Sequence, residues 1–484
     1  MTGTPNRRQF LQGAGALGAV AALPLPARAA ADPTLLTIAR RTIEVNREPA
    51  SVFSLTRAGG KPGIVLEPGE RFRVTLENRA GLPTLIHWHG QTPPLAQDGV
   101  PGLSQPVLPP GQRYEYDYAP RPGTHWMHSH EGLHEQLLMA APLIVREDRR
   151  VDAQEVVVLL HDFTFADAGE LFAKLGAGQG AHGAHGAPAG QAPPDPHAEH
   201  GAMPAAAPAP APAPAAHLHD IDYDAYLAND RTLGDPEIVR VERGGRVRLR
   251  LINAATATAF IVDTGALTAE VLAGDGNAVL PVEGTQFPLA MGQRLDLLLK
   301  LPRGEGAFPV LARREGEAQR TGIILATTKA QVVKLSPVGP RKAAIAGLDL
   351  EARLRAKEPP ARRPADRKLE VLLGEKPPYI WTLNGQAHGQ HRPLQVKSGE
   401  RVQITFVNPT GMMHPMHLHG HHFQVVGFNG RRIDGAMRDT VIVPAQGGRV
   451  SVAFDADNPG EWALHCHNLY HMAAGMMTTV KYAG

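Results

Sequence analysis

The chain has 484 residues, with 49 Lys+Arg against 47 Asp+Glu and a formal net charge of +2. That balance gives neither the basic footprint of a nucleic-acid binder nor the acidic run of a disordered tail. At 43% hydrophobic and 20% charged residues, it is an ordinary globular composition with length for several cores. In chain order, the first feature is an Arg7-Arg8 pair followed by Phe10-Leu11. A weakly apolar stretch runs from Gly13 to Leu25, and Ala27-Arg28-Ala29 supplies a small-x-small cleavage site. Residues 1–31 therefore read as a twin-arginine export signal, too short in its apolar part to span a bilayer. The expected mature protein starts near Ala30 or Asp32, carries no stable membrane span, and works in the periplasm after passing the twin-arginine export machinery.

One unit then occurs three times. Gly69 precedes Asn78, Gly244 precedes Asn253 and Gly399 precedes Asn408, each by nine positions. Between them apolar and polar residues alternate, the pattern of a half-buried strand entered from a turn. Similar short segments at Thr37–Val45, Arg113–Tyr118, Gln154–Leu160 and Arg449–Phe454 extend the pattern. Gly (51) and Pro (43) are abundant, and helical periodicity is confined to a piece around Ala168–Lys174. The expected fold is all-β: three Greek-key β-barrel or sandwich domains over 32–149, 150–340 and 368–484. Residues 176–219 form a Gly-, Ala-, Pro- and His-rich insert in the second domain, and 341–367 read as a linker.

The repeat also locates the chemistry. Nine and eleven residues after Asn78 stand His87 and His89, and the same places after Asn408 hold His417 and His419. After Asn253 they hold Val262 and Thr264. Five and seven residues after Gly123 are His128 and His130, and after Gly460 they are His465 and His467. The first and third domains thus carry four His-x-His pairs in equivalent places, and the second carries none. About one such pair is expected by chance at this histidine content; six occur. On a strand, residues i and i+2 face one side about 6.6–6.8 Å apart, so four pairs from two facing domains make an eight-imidazole cage. Imidazole suits Cu, Zn, Fe or Ni.

The single cysteine, Cys466, lies between His465 and His467, so its sulfur points away from both rings. It cannot form an intrachain disulfide. His471 and Met476 follow at five-residue steps, and His414 lies just upstream of the 417/419 pair. A thiolate, two imidazoles and a weak axial thioether describe a blue-copper electron-transfer site.

Four segments, His87-Trp88-His89-Gly90, His128-Ser129-His130, His414 to Gly420 and His465 to Met476, together resemble the copper signatures of three-domain multicopper oxidases. The resemblance covers nearly the whole mature chain. It implies cupredoxin-like domains and four copper ions: type 1 on His414, Cys466 and His471 with Met476 axial, and type 2 on His87 and His417. The type 3 pair would take His89, His128 and His467 on one copper and His130, His419 and His465 on the other. It further implies one-electron oxidation of a reductant at type 1, coupled to four-electron reduction of O2 to water. Asp98 matches the carboxylate the family places near type 2, where it would relay protons; a turn-forming Asp-Gly is the plainer reading. Glu131, beside His130, reads as a solvated or supporting group.

Within the family the likeness is nearest to the periplasmic copper-resistance oxidases, which are linked to Cu(I) oxidation. Those proteins carry Met-rich segments, whereas this chain has 12 Met and an insert with Met203 alone. The insert holds His182, His185, His197, His200, His217 and His219 instead, either as copper collectors or as compositional drift. Met412, Met413, Met416, Met472 and Met477 cluster around the type 1 residues as a thioether path or as packing. A laccase-like oxidase of small phenols is the alternative within the enzyme class. A copper-free structural relative is the alternative outside it, and the complete ligand set argues against that reading.

Overall fold

The computed structural model describes residues 32–149, 151–178 and 218–483, so the export signal and most of the insert lie outside the described residues. No helix among the described residues is long and apolar enough to cross a membrane. The fold is all-β, built from three cupredoxin-like sandwiches, each a pair of sheets. The first pair uses strands between Thr34 and Val145, the middle pair strands between Gln154 and Ala326, and the third strands between Arg367 and Tyr482.

Each sandwich repeats one piece of topology. Its opening strand runs parallel to the repeat strand: Thr34–Val45 beside Phe72–Arg79, Gln154–Phe163 beside Arg246–Asn253, and Arg367–Lys376 beside Arg401–Asn408. Gly69, Gly244 and Gly399 turn into the repeat strand with φ of 77°, 67° and 84°, a region that favours glycine. The Asn at the strand's end is fully buried in all three copies. Asn78 donates to the carbonyls of Leu82 and Leu108, Asn253 to those of Thr258 and Leu289, and Asn408 to those of Met412 and Val443. One buried amide thus satisfies two loop carbonyls that would otherwise be orphaned, and ties the loop ahead of the next strand to the opposite sheet.

That next strand is where the copies diverge. In the first sandwich His87 lies opposite His128, and in the third His417 lies opposite His465. In the middle sandwich Val262 lies opposite Ala312, both inside the apolar core. The first histidine of each pair ends or nearly ends its strand, while His89, His130, His419 and His467 lie just past it. The chain bends there, so the rings converge more than ideal strand geometry allows.

Two of the helices that interrupt the strands lie at the insert and the linker, the first of them expected. The helix near residue 170 runs Ala168–Gly176, with Asp167 capping the Glu170 N–H. The stretch at 341–367 is more than a linker: it contains the helix Asp349–Arg353. Leu350, on that helix, and Leu354, the extended residue that caps its end, both join the middle core.

Candidate metal centre

Two clusters of buried donors lie on either side of Cys466. In the first, His414 begins the strand His414–Leu418, Cys466 ends Glu461–Cys466, and His471 sits on the helix Leu469–Ala473. Asn468 caps that helix, accepting from the Tyr470 and His471 N–H groups, and so fixes where His471 points. His471 Nε2 donates to Asp220 Oδ2 at 2.9 Å. The Thr410 hydroxyl gives its proton to Asn408 Oδ1 at 2.8 Å, so His414 Nε2 donates to it at 2.9 Å. Both Nδ1 atoms therefore carry lone pairs. They lie 3.1 Å apart, with Cys466 Sγ 3.5 Å from one and 3.7 Å from the other. The thiol proton can serve only one of the two nitrogens, so one ring lone pair stays opposed to the other, and a cation held by all three donors removes the conflict. Met476 is fully buried in the same core cluster, and its carbonyl accepts the Cys466 N–H at 3.1 Å. Trp381 stacks on His471 at 4.0 Å.

Burial, and then the neighbouring His471, depresses His414 far below the usual histidine range, and burial pushes the Cys466 thiol well up. The imidazole is thus neutral and ready to ligate, whereas the sulfur becomes a thiolate only when a metal takes the proton's place.

The second cluster gathers all eight paired histidines. His89 stacks on His417 at 3.8 Å between ring centroids, and His87 lies 3.9 Å from His419, so rings of the first and third sandwiches interleave. His87 Nδ1 donates to the Asp98 carbonyl at 2.8 Å, His417 Nδ1 to the Asp439 carbonyl at 2.9 Å, and His128 Nδ1 to the Ser129 carbonyl at 3.0 Å. The Nε2 atoms of His87, His128, His130 and His417 are buried without a partner. His419 Nδ1 donates to Asp98 Oδ2 at 2.8 Å and His465 Nδ1 to the Cys466 carbonyl at 2.9 Å. Their Nε2 lone pairs then face each other across 3.0 Å.

Orphaned and opposed nitrogen lone pairs in a buried space are costly unless a cation satisfies them. Burial, reinforced by mutual proximity, holds His89, His130, His417, His419 and His467 far below the usual range, and burial pushes His465 down to about 3. Neutral imidazoles that cannot be rescued by protons fit a copper-binding set.

Asp98 is buried between the two sandwiches: Oδ2 accepts from His419, and Oδ1 lies 3.3 Å from His87 Nδ1 without accepting a hydrogen bond. Glu131 is half-exposed, and burial raises its carboxyl modestly. The glutamate that reaches the cage is Glu135, aimed back by the turn His134–Leu137 so that Oε2 lies 3.2 Å from His128 Nδ1. Two further carboxylates touch ring nitrogens, Asp220 at His471 and Asp439 at His89 (3.1 Å). Sequence spacing gave no sign of either; the only hint of Asp439 is a charged pair, Arg438-Asp439, directly ahead of an apolar strand.

A cavity of about 840 Å³ flanks both clusters. Its wall includes His130, Glu131, Phe172, Tyr379, His388, Met472 and Met477. Of the six insert histidines, only His219 lies among the described residues, and it is engaged, donating from Nε2 to the Glu315 carbonyl at 2.9 Å.

Family models described as multicopper oxidase match residues 37–150, 155–333 and 361–483, and a twin-arginine translocation signal matches 4–24. The chain is 31% identical over 453 residues to multicopper oxidase MmcO of Mycobacterium tuberculosis, covering 89% of this chain and 83% of that one. It is 27% identical over 608 aligned residues to copper resistance protein A of Escherichia coli, covering 98% and 99%. Among solved structures, laccase from Botrytis aclada shares the fold with a TM-score of 0.74 at 21% identity, covering 94% of this chain and 89% of that one.

Proposed function

The chain belongs to the multicopper oxidase family, an oxidoreductase with four coppers, and on that premise we propose that it oxidises Cu(I) in the periplasm and thereby serves copper tolerance. The balanced reaction takes four Cu(I), one O2 and four protons to four Cu(II) and two waters. His414, Cys466 and His471, together with Met476, would hold the type 1 copper. His87 and His417 would hold type 2; His89, His128 and His467, and His130, His419 and His465, would hold the type 3 pair. Bound there, the coppers supply the one-electron steps from reductant to O2 that no side chain in the site offers.

The protein's part is placement. Cys466 shares a strand end with His465 and His467, so its backbone is a short covalent path between the two clusters. Asp98, with Oδ2 engaged and Oδ1 free, is suited to hold and pass a proton at Oδ1 beside His87 and His419.

The observation that carries the Cu(I) reading is the cavity wall. Met472 and Met477 pack against each other's neighbours there, one residue from His471 and Met476 respectively, and His388 joins them. Thioether is the soft donor that Cu(I) prefers. The name of copper resistance protein A, matched along its whole length, points the same way.

A second reading is favoured by the same cavity. Its volume and its Phe172 and Tyr379 rings suit a phenol, and Glu131 stands by to accept the phenolic proton. Steady-state Cu(I) and phenol oxidation, compared side by side with O2 uptake, decides between them. The Cu(I) reading requires the higher kcat/KM for Cu(I) and a loss of it in Met472→Leu/Met477→Leu that spares phenol turnover. The opposite ranking transfers the assignment to phenols.

A further inference from the structure

The middle sandwich carries none of the paired histidines, yet it reaches the cage. The turn into its strand Arg294–Lys300 brings Gly292 and Arg294 against it. A Cβ on Gly292 would sit 2.7 Å from His467 Cδ2 and 3.1 Å from His89 Cε1, so the backbone itself forms a wall there. Arg294 is fully buried, and every one of its nitrogens is committed. Nη1 and Nη2 donate to Asp439 Oδ1 at 2.7 Å and Oδ2 at 2.6 Å; Nε donates to the Thr124 carbonyl and Nη1 also to the Gly292 carbonyl.

Asp439 passes this on to two rings. Oδ1 accepts from His89 Nε2 at 3.1 Å, and the backbone carbonyl accepts from His417 Nδ1. His89 is thereby reversed relative to its neighbours. His87, His128, His417, His419 and His465 all donate through Nδ1, which leaves Nε2 to point inward. His89 donates through Nε2, and its Nδ1 lone pair faces His467 Nε2 at 3.2 Å. A carboxylate on one ring nitrogen fixes the tautomer and selects the other nitrogen as ligand. The carboxylate in turn holds that orientation only while its charge is compensated in the buried space, and the bidentate fork of Arg294 does so with fixed geometry.

Behind Arg294 the compensation continues. Asp275 lies 3.6 Å from its Nη1 and 3.3 Å from Arg438 Nη1, and Arg438 Nη2 donates to Glu351 of the helix Asp349–Arg353 at 2.7 Å.

We infer that Arg294, through Asp439, is the positioning residue that makes His89 ligate through Nδ1, so that the middle sandwich sets the geometry of a metal cage to which it gives no ligand. This rests on the copper reading above. Arg294→Met removes the fork with little change in length. Asp439→Asn keeps an acceptor for His89 but removes the charge that Arg294 grips. Arg294→Lys restores the charge without the fork.

The experiment loads each purified full-length protein with copper and titrates it with a chelator. Blue absorption follows type 1, and total copper minus type 1 gives the cage; side-chain ¹⁵N NMR of the copper-free protein reports the His89 tautomer. Arg294→Met should keep its blue band and its type 1 copper while the cage binds copper about 10- to 100-fold more weakly. Its His89 should lose the Nε2-protonated signal. Asp439→Asn should weaken the cage less, and Arg294→Lys should fall between Arg294→Met and the parent. Cage affinity within twofold of the parent, or an unchanged His89 tautomer, overturns the assignment. Loss of the blue band in step with cage copper also overturns it, by making Arg294 a general stability residue. A parent protein that fails to bind copper in the cage refutes the underlying copper reading instead.

Discussion

Asn408 links two functions of a single side chain. It pins the loop carbonyls of Met412 and Val443, and its Oδ1 takes the Thr410 hydroxyl proton that makes Thr410 an acceptor for His414. Asn408→Ala leaves buried carbonyls unpaired and should cost about 2–4 kcal/mol, read by thermal unfolding, and should also alter the blue band. Asn78→Ala should cost the same and leave that band unchanged. His161 offers a test away from the metal sites: it is buried with neither ring nitrogen hydrogen-bonded, and burial pushes it down to about 4. Below its ordinary value near 6.5 the unfolded chain gains a proton that the folded chain refuses, so stability falls as pH drops from there to about 4. His161→Leu should therefore be more acid-tolerant in the copper-free form by roughly 3 kcal/mol at the bottom of that window, measured by denaturant unfolding against pH. Asp98→Asn should leave type 1 reduction by substrate intact and slow O2 uptake by on the order of 10²-fold, seen in stopped-flow and oxygen-electrode traces. The histidine pairs were legible because strand periodicity is written locally. Asp439 was not, because it meets His89 across 350 positions, and nothing in local spacing records which loops abut. Glu131 drew attention by adjacency, while the turn after Gly132 gave the contact to Glu135.

At the scale of elements, the alternating segments and the three-fold Gly-to-Asn repeat announced the sandwiches, since each strand must hide one face. Two short helices were silent. Leu469–Ala473 and Asp349–Arg353 are five residues each, too brief for helical periodicity to show, and both are stabilised by what they pack on. Of the insert's two stems, the outgoing helix showed in its periodicity, but neither stem's part in the site did. Phe172 and Gly176 of the outgoing helix line the cavity, and Asp220 on the returning side bonds His471. A deletion meant to test the histidine-rich segment should thus stop short of His219 and Asp220. Removing 180–216 should spare phenol oxidation and the blue band while lowering Cu(I) turnover at limiting copper; unchanged Cu(I) kinetics would reduce the segment to a connector.

For the molecule as a whole, the donors of the cage come from 87–130 and 417–467, and Arg294 from between them braces the junction. The near-zero net charge said nothing of this, because the charges that matter are buried in pairs. Replacing Arg7-Arg8 by a Lys pair should leave a full-length precursor in the cytoplasm, detected by cell fractionation, with the blue band still obtainable on copper loading.

The interleaving of His87 with His419 and of His89 with His417 also has a consequence in time. During synthesis the chain can hide its early histidines in no finished site until residues beyond 467 have emerged. Copper in the cage is therefore a certificate of completeness: a chain cut before His417 lacks half of the eight donors, and one cut before His465 still lacks two, however well its first sandwich folds. A transport route that carries folded cargo hands over a molecule whose ability to bind four metals already testifies that it was made to the end.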